Sequence, residues 1–188
     1  MTGETEIRKV VLYQLLSLDG VAEEPSDWMS DGGRELFENL GAVIATQDDI
    51  LLGRGTYDYW VDYWPTSEVE PFATFVNTTR KHVFSSTPLT QEWANTVVAD
   101  RPPVEYVTDL RRGEGGDIGI HGSIELARSL LSADLVDELR LVVAPALAHT
   151  GRRLFDGTDD RGVRALELLD STRTEAGSLL LAYRVAVS

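Results

Sequence analysis

The sequence predicts an α/β sandwich with a largely parallel central sheet that finishes antiparallel, and three observations carry the prediction. Short runs rich in Val, Ile and Leu alternate with stretches of helical periodicity, the pattern of strands joined by crossover helices. Turn residues such as Asp19-Gly20 punctuate the runs. The last two runs are separated by Glu175-Ala176-Gly177, a turn that joins two neighbouring antiparallel strands.

In order, "IRKVVLYQLLSL" (7–18) reads as a buried strand closed by Asp19-Gly20, and the polar stretch from Val21 to Gly33 reads as a long loop. "RELFENLGAVIA" then spaces its apolar residues as a helix does. Further strands are expected at "ILLG" (50–53), "KHVFS" (81–85), "TVVA" (96–99), "DIGIH" (117–121) and "ELRLVVAPAL" (138–147), with the clearest intervening helix at "SIELARSLL". The tail "ALELLDSTRTEAGSLLLAYRVAV" supplies the closing hairpin. No repeat or linker divides the chain, so one domain over residues 1–188 is expected.

Composition excludes several function classes. With 188 residues and 43% apolar content the chain can bury a substantial core, and without cysteine it has no thiol nucleophile or thiolate metal site. His82, His121 and His149 are far apart in sequence, so no metal site is expected. The start "MTGETEIRKV" lacks a signal-peptide layout, and no apolar run is long enough to span a bilayer, so a soluble cytoplasmic protein without membrane partners is expected. A net charge of −14 argues against nucleic acid and requires that any phosphate ligand be held by a local positive feature.

Three strand ends have the right chemistry for such a feature. "LLGRGTYDYW" (51–60) ends a strand in Gly53-Arg54-Gly55-Thr56 and opens a helix, where glycine admits close approach, the helix start presents unpaired N–H groups and Arg54 offers a planar fork of donors. "VFSSTP" (83–88) places Ser85, Ser86 and Thr87 after a second strand, and "IGIHGSIELARSLL" (118–131) gives strand, Gly122-Ser123, then helix. Each has an ordinary alternative: a tight turn with Thr56 as cap, a Ser/Thr turn, and a helix capped by Ser123. Ligands of open α/β sheets bind outside the C-terminal strand ends, so three such ends favour one extended dinucleotide site. "RRGEGGD" (111–117) precedes a strand and reads as a solvated turn.

Taken in order, "SLDG", "LLGRGTY", "SSTP", "HGS" and "LVDELRLVVAPALAHTGRRLF" resemble the dihydrofolate reductase-like fold, specifically the reductase domain of the bifunctional riboflavin-biosynthesis deaminase/reductase and its single-domain bacterial relatives. The resemblance runs from about Ile7 to Val187 and implies a three-layer α/β/α sandwich, an NADPH-dependent reductase and a homodimer. It implies that Gly53, Arg54 and Thr56 contact cofactor phosphates and that Ser85, Ser86 and Thr87 surround the adenosine 2′-phosphate with Arg54. It implies further that His121, Gly122, Ser123 and Ile124 flank the pyrophosphate and nicotinamide ribose. His121 departs from the glycine pair usual in dihydrofolate reductases, and Glu125 works against anion binding unless it points away.

For the proton, Asp19 in the "SLDG" turn and Asp31 before the first helix are the candidates, with Glu35 and Glu38 nearby; a carboxyl in an apolar cleft is raised in pKa and can donate near neutral pH. Each Asp also has a structural reading, as turn residue or helix cap. Trp28, Tyr57 and Trp60 are the candidate substrate contacts, a wall for a flat heteroaromatic small molecule, although aromatics at helical spacing also build cores. Reduction of the riboflavin-pathway ribosylamino-pyrimidine is one specific version. That substrate carries a phosphate, for which Arg152 and Arg153 are possible partners. A non-catalytic nucleotide or small-molecule binding protein on the same fold is the alternative.

Overall fold

The computed structural model describes residues 7–29, 32–156 and 162–186. Its elements follow the predicted alternation: β1 (Val10–Leu16), α1 (Gly33–Ile44), β2 (Gln47–Gly53), α2 (Arg54–Trp60), α3 (Phe72–Thr78), β3 (Arg80–Phe84), β4 (Thr96–Val98), α4 (Pro103–Leu110), β5 (Asp117–His121), α5 (Ile124–Ser132), β6 (Glu138–Val143), β7 (Leu166–Arg173) and β8 (Leu179–Val185). The strands form one eight-stranded sheet in the order β4-β3-β2-β5-β1-β6-β8-β7. Strands β1 to β6 run parallel, and β8 and β7 complete the sheet antiparallel.

The central strands read as near-continuous apolar runs because both of their faces are covered. Along β1, Val10 and Leu12 face one layer, and Val11 and Tyr13 the other. Helices α1, α2 and α3 cover the Tyr13 face with Leu36, Leu40, Val61 and Phe72, while α4 and α5 cover the opposite face with Val107, Leu126 and Leu130. Val10, Leu12, Ile118 and Ile120 have no exposed surface, and each such burial contributes about 1.5–3 kcal/mol. Edge strand β7 is exposed along its whole length.

Two boundaries differ from the sequence expectation. β6 ends at Val143, not 147, because Pro145 follows and cannot donate to a ladder. β2 begins at Gln47, three residues before its apolar run. Its polar start is held by ion pairs: Arg8 binds both Asp48 and Asp49.

Candidate active site

Strand order brings the C-terminal ends of β3, β2, β5 and β1 side by side. Gly53 ends β2 and the chain enters α2 at once, while Ser123 flanks the start of α5; neither helix start has a side-chain cap. The alternative reading of Thr56 and Ser123 as caps does not hold, because the hydroxyls serve another purpose. Gly53 N–H donates to Ser123 Oγ at 3.0 Å, and Ser123 Oγ donates to Thr56 Oγ1 at 2.9 Å, stitching the ends of β2 and β5 together. Ser123 is buried, and the Thr56 O–H keeps its own proton to donate.

Arg54 makes a second stitch, from β2 to β3. Its Nη1 donates to Ser85 Oγ at 3.1 Å, Thr87 Oγ1 at 2.9 Å and Pro88 O at 2.9 Å, and its Nε is held by the Asp58 carboxylate at 2.6 Å. The N–H groups of Nη2 have no partner among the described residues. Ser86 lies exposed between Ser85 and Thr87. At the end of β5, Gly122 has φ +73°, and a Cβ there would stand 3.0 Å from Trp60 Cζ2, so the position excludes side chains on both counts. Glu125, which threatened the local charge, is exposed and paired with Arg128 at 3.0 Å.

Beside these ends lies a cavity of about 630 Å³, walled by Phe37, Leu40, Trp60, Trp64 and Phe72 and reached by Gly122 and Ile124. The rings brace one another edge to face: Trp60 and Phe72 are 5.5 Å apart at 83°, Trp60 and Trp64 5.9 Å at 75°. His121 is buried against Phe72, Phe75 and Tyr13 at 5.2, 5.7 and 5.9 Å. Burial lowers its pKa to about 3, so the ring is neutral at physiological pH. Its Nε2–H donates to Gln47 Oε1 at 2.8 Å, which leaves Nδ1 as an acceptor. Gly119 makes room for that pair, since a Cβ would fall 2.1 Å from Gln47 Oε1. Two other groups lining the cavity, the Tyr13 hydroxyl and Gln14 Oε1, are buried and have no hydrogen-bond partner among the described residues. Burial also pushes the Tyr13 pKa well above its usual value, so the hydroxyl stays a donor.

Three expected residues fall elsewhere. Tyr57 belongs to the core: it has no exposed surface, and its hydroxyl donates to Gln91 O at 3.0 Å. Trp28 is half-buried outside the cavity wall, its indole N–H spent on Glu23 O at 2.9 Å, and neighbouring Met29 lines the cavity instead. Asp19 is no proton donor. Its carboxylate accepts from Ser17 Oγ at 2.7 Å and from the backbone N–H groups of Ala148 and His149 at 2.9 and 3.0 Å, and these bonds lower its pKa to about 2. It serves as an anchor for the loop after β6. Asp31 lies outside the described residues.

The RibD C-terminal domain matches residues 8–180. The chain belongs to that family. YyaP of Bacillus subtilis strain 168 is 27% identical over 97% of this chain and 98% of its own length. Among solved structures, a Shewanella sp. PV-4 protein assigned to riboflavin biosynthesis superposes with a TM-score of 0.76 at 17% identity, covering 95% of this chain and 99% of that one. The Thermotoga maritima diaminohydroxyphosphoribosylaminopyrimidine deaminase/5-amino-6-(5-phosphoribosylamino)uracil reductase gives a TM-score of 0.70 at 15% identity, covering 96% of this chain and 57% of that longer protein. The dihydrofolate reductase-like fold expected from the sequence is thus the fold of this RibD C-terminal domain.

Reading the RibD-type sequence alone missed Tyr13, Gln14, Phe72 and Glu23 as cavity residues. One signal was available: Gln14 is the sole amide in the apolar run "VVLYQLL" of β1. A buried polar residue in a central strand calls for a partner. Phe72 and Glu23 carried no such mark, because their roles depend on how α3 and the loop after β1 fold back over the strand ends.

Proposed function

We propose that this RibD-type chain is an NADPH-dependent reductase of a small planar heterocycle, with the dinucleotide along the ends of β3, β2 and β5 and the heterocycle in the adjoining cavity. The observation that carries the reading is the pair of stitches, Arg54 to Ser85 and Thr87, and Ser123 to Gly53 and Thr56, which gather three strand ends into one donor-rich groove. The donor set fits a phosphorylated dinucleotide: Arg54 Nη2 and Thr56 O–H retain protons to donate, and the uncapped start of α5 adds backbone N–H groups. A Cβ at Gly55 would meet nothing within 4 Å, so the backbone there is open to close approach.

The cofactor supplies the hydride when bound; the chain's own residues bind, orient and exclude water. Arg54, pre-oriented by Asp58 and the SSTP loop, is the group suited to a 2′-phosphate. Trp60 and Phe72 present faces and edges for stacking, and neutral His121 completes an apolar floor. The Thermotoga protein named above reduces a uracil derivative, and its likeness in fold supports a ring substrate of that general kind.

Calorimetric titration with NADPH and NADH tests the reading. NADPH is expected to bind at least about tenfold more tightly than NADH, and Arg54→Ala to remove that preference while costing about 1 kcal/mol or less of stability. Equal affinities, or a preference that survives Arg54→Ala, would overturn the assignment of Arg54. Binding of neither nucleotide would overturn the function.

A further inference from the structure

The cavity mouth carries charge of the wrong sign for a phosphorylated substrate. Among the described residues, Arg152 is the one cation lining the cavity, and Glu23 occupies it: Arg152 Nε donates to Glu23 Oε1 at 2.7 Å and Arg152 N–H to Glu23 Oε2 at 3.1 Å. Those bonds hold Glu23 below the usual carboxylate range, so the carboxylate is charged at neutral pH. Glu24 lines the same mouth, leaving two carboxylates against one guanidinium. Arg153, the other cation expected to be available, donates from Nε to Asp19 O at 2.9 Å and does not line the cavity. Inside, the walls are aromatic and aliphatic, and the fully buried polar atoms without partners among the described residues are one donor and one acceptor, Tyr13 O–H and Gln14 Oε1, on residues only 6% and 4% exposed; Thr56 O–H and His121 Nδ1 also line the cavity with capacity to spare.

A phosphate dianion needs cationic or N–H donors with spare capacity. It would meet net negative charge here. A neutral ring with a carbonyl and an N–H on its edge would instead satisfy both orphaned groups, and their burial without partners is otherwise a standing cost. Resting on the reading of this cavity as the substrate site, we propose that the substrate is a neutral, unphosphorylated planar heterocycle, read by Tyr13 and Gln14, with Glu23 as the residue that rejects phosphorylated pyrimidines. On this proposal the reaction that supplies the substrate is one that leaves the ring without a phosphate.

The test uses matched probes. Uridine and uridine 5′-monophosphate share one ring and differ by the phosphate, and lumazine is a larger neutral ring with the same edge chemistry; affinities are measured by calorimetry on the cofactor-free protein and again with saturating NADPH. Wild-type protein is expected to bind uridine about tenfold more tightly than its monophosphate; Glu23→Gln is expected to narrow that ratio about threefold or more, and Arg152→Ala to widen it. Tyr13→Phe and Gln14→Leu are each expected to weaken lumazine about tenfold without moving the uridine-to-monophosphate ratio. A monophosphate bound as tightly as uridine, a ratio unmoved by Glu23→Gln, or no binding by any of the three probes overturns the proposal. Failure of NADPH to bind while the ratio holds would instead strike the cofactor reading and leave the cavity's selectivity standing.

Discussion

The two ends of the parallel strands spend their polar groups differently. At the N-terminal ends lies the larger hollow, a cleft of about 850 Å³ lined by Arg8, Asp48, Asp49, Arg80, Arg101 and Tyr106 among others. Its ionic groups are largely spent on one another. Arg8 Nη2 binds Asp49 at 2.7 Å, Asp49 accepts from His82 Nε2 at 2.8 Å, and His82 Nδ1 meets the Tyr106 hydroxyl at 2.7 Å. Nearby, Arg111 holds Asp137 at 2.9 Å and Lys9 holds Glu138 at 3.0 Å. At the C-terminal ends the hollow is smaller, yet Tyr13 O–H, Gln14 Oε1 and Arg54 Nη2 keep unused hydrogen-bonding capacity. Neither size nor unspent polar capacity alone marks the proposed functional end, because Gln47 Nε2 and Thr96 Oγ1 are also buried without partners among the described residues at the N-terminal ends; what sets the C-terminal ends apart is that such groups line an aromatic-walled cavity.

The largest expected effect breaks the satisfied end. Asp49 is buried, and although burial alone would raise its pKa, hydrogen bonds from His82 and Arg8 hold it below the ordinary range. Asp49→Ala leaves Arg8 and His82 without their shared carboxylate and is expected to cost about 3–5 kcal/mol in urea denaturation. NADPH affinity at the far end should change less than about twofold, since distant sites without shared partners behave independently. A parallel loss of affinity would mean that the two ends are one coupled unit. The depressed pKa sets the sign with pH: the contribution of Asp49 is present above the unfolded carboxylate value and is lost as pH falls through the lower folded value. Acid destabilisation below about pH 4 should therefore be shallower in Asp49→Ala.

One hydrogen bond, His121 to Gln47, reaches from the cavity floor toward the polar cleft that Gln47 lines. The His121 pKa is about 3 in the folded protein against an ordinary 6.5, so the unfolded chain takes up a proton that the fold refuses. Stability is then full above pH 6.5 and falls as pH drops toward 3. Between pH 6.5 and 4.5 the loss attributable to His121 should be about 2 kcal/mol. Denaturation curves for wild type and His121→Phe across that window check this, and equal slopes would show that the ring is protonated inside the fold.

The contrast between the ends also explains what the sequence made legible. Fold and strand ends were readable because periodicity and turn residues are local: "DIGIH" became β5 at the expected bounds, and the strand ends "GRGT" and "SSTP" lie side by side, Arg54 bonding Ser85 and Thr87 directly. Roles that depend on which face a residue presents were not. Tyr57 and Trp60 sit three residues apart in one helix, yet the first is buried in the core and meets Gln91 while the second, at the helix end, turns to the cavity. Asp19 had the right residue type in a plausible turn. Its role was decided by Ala148 and His149, more than a hundred residues away, whose N–H groups no local pattern could assign to it.

The same contrast between spent and unspent capacity separates a pair of hydroxyls. Tyr13 and Tyr57 are both buried in the same apolar layer, and a single oxygen separates each from phenylalanine. Tyr57 donates to Gln91 O, so Tyr57→Phe leaves a carbonyl short of its partner and should cost about 1 kcal/mol with no change in ligand binding. Tyr13 O–H has no partner among the described residues, so Tyr13→Phe removes an uncompensated polar group and should be neutral or stabilising by up to about 1 kcal/mol. The sign reverses when a ring compound is bound. Lumazine should then stabilise wild type more than Tyr13→Phe, measured as the ligand-induced shift in the denaturation midpoint. If Tyr13→Phe instead destabilises the free protein as Tyr57→Phe does, the Tyr13 hydroxyl is already satisfied and the cavity has lost the donor that distinguishes it from core.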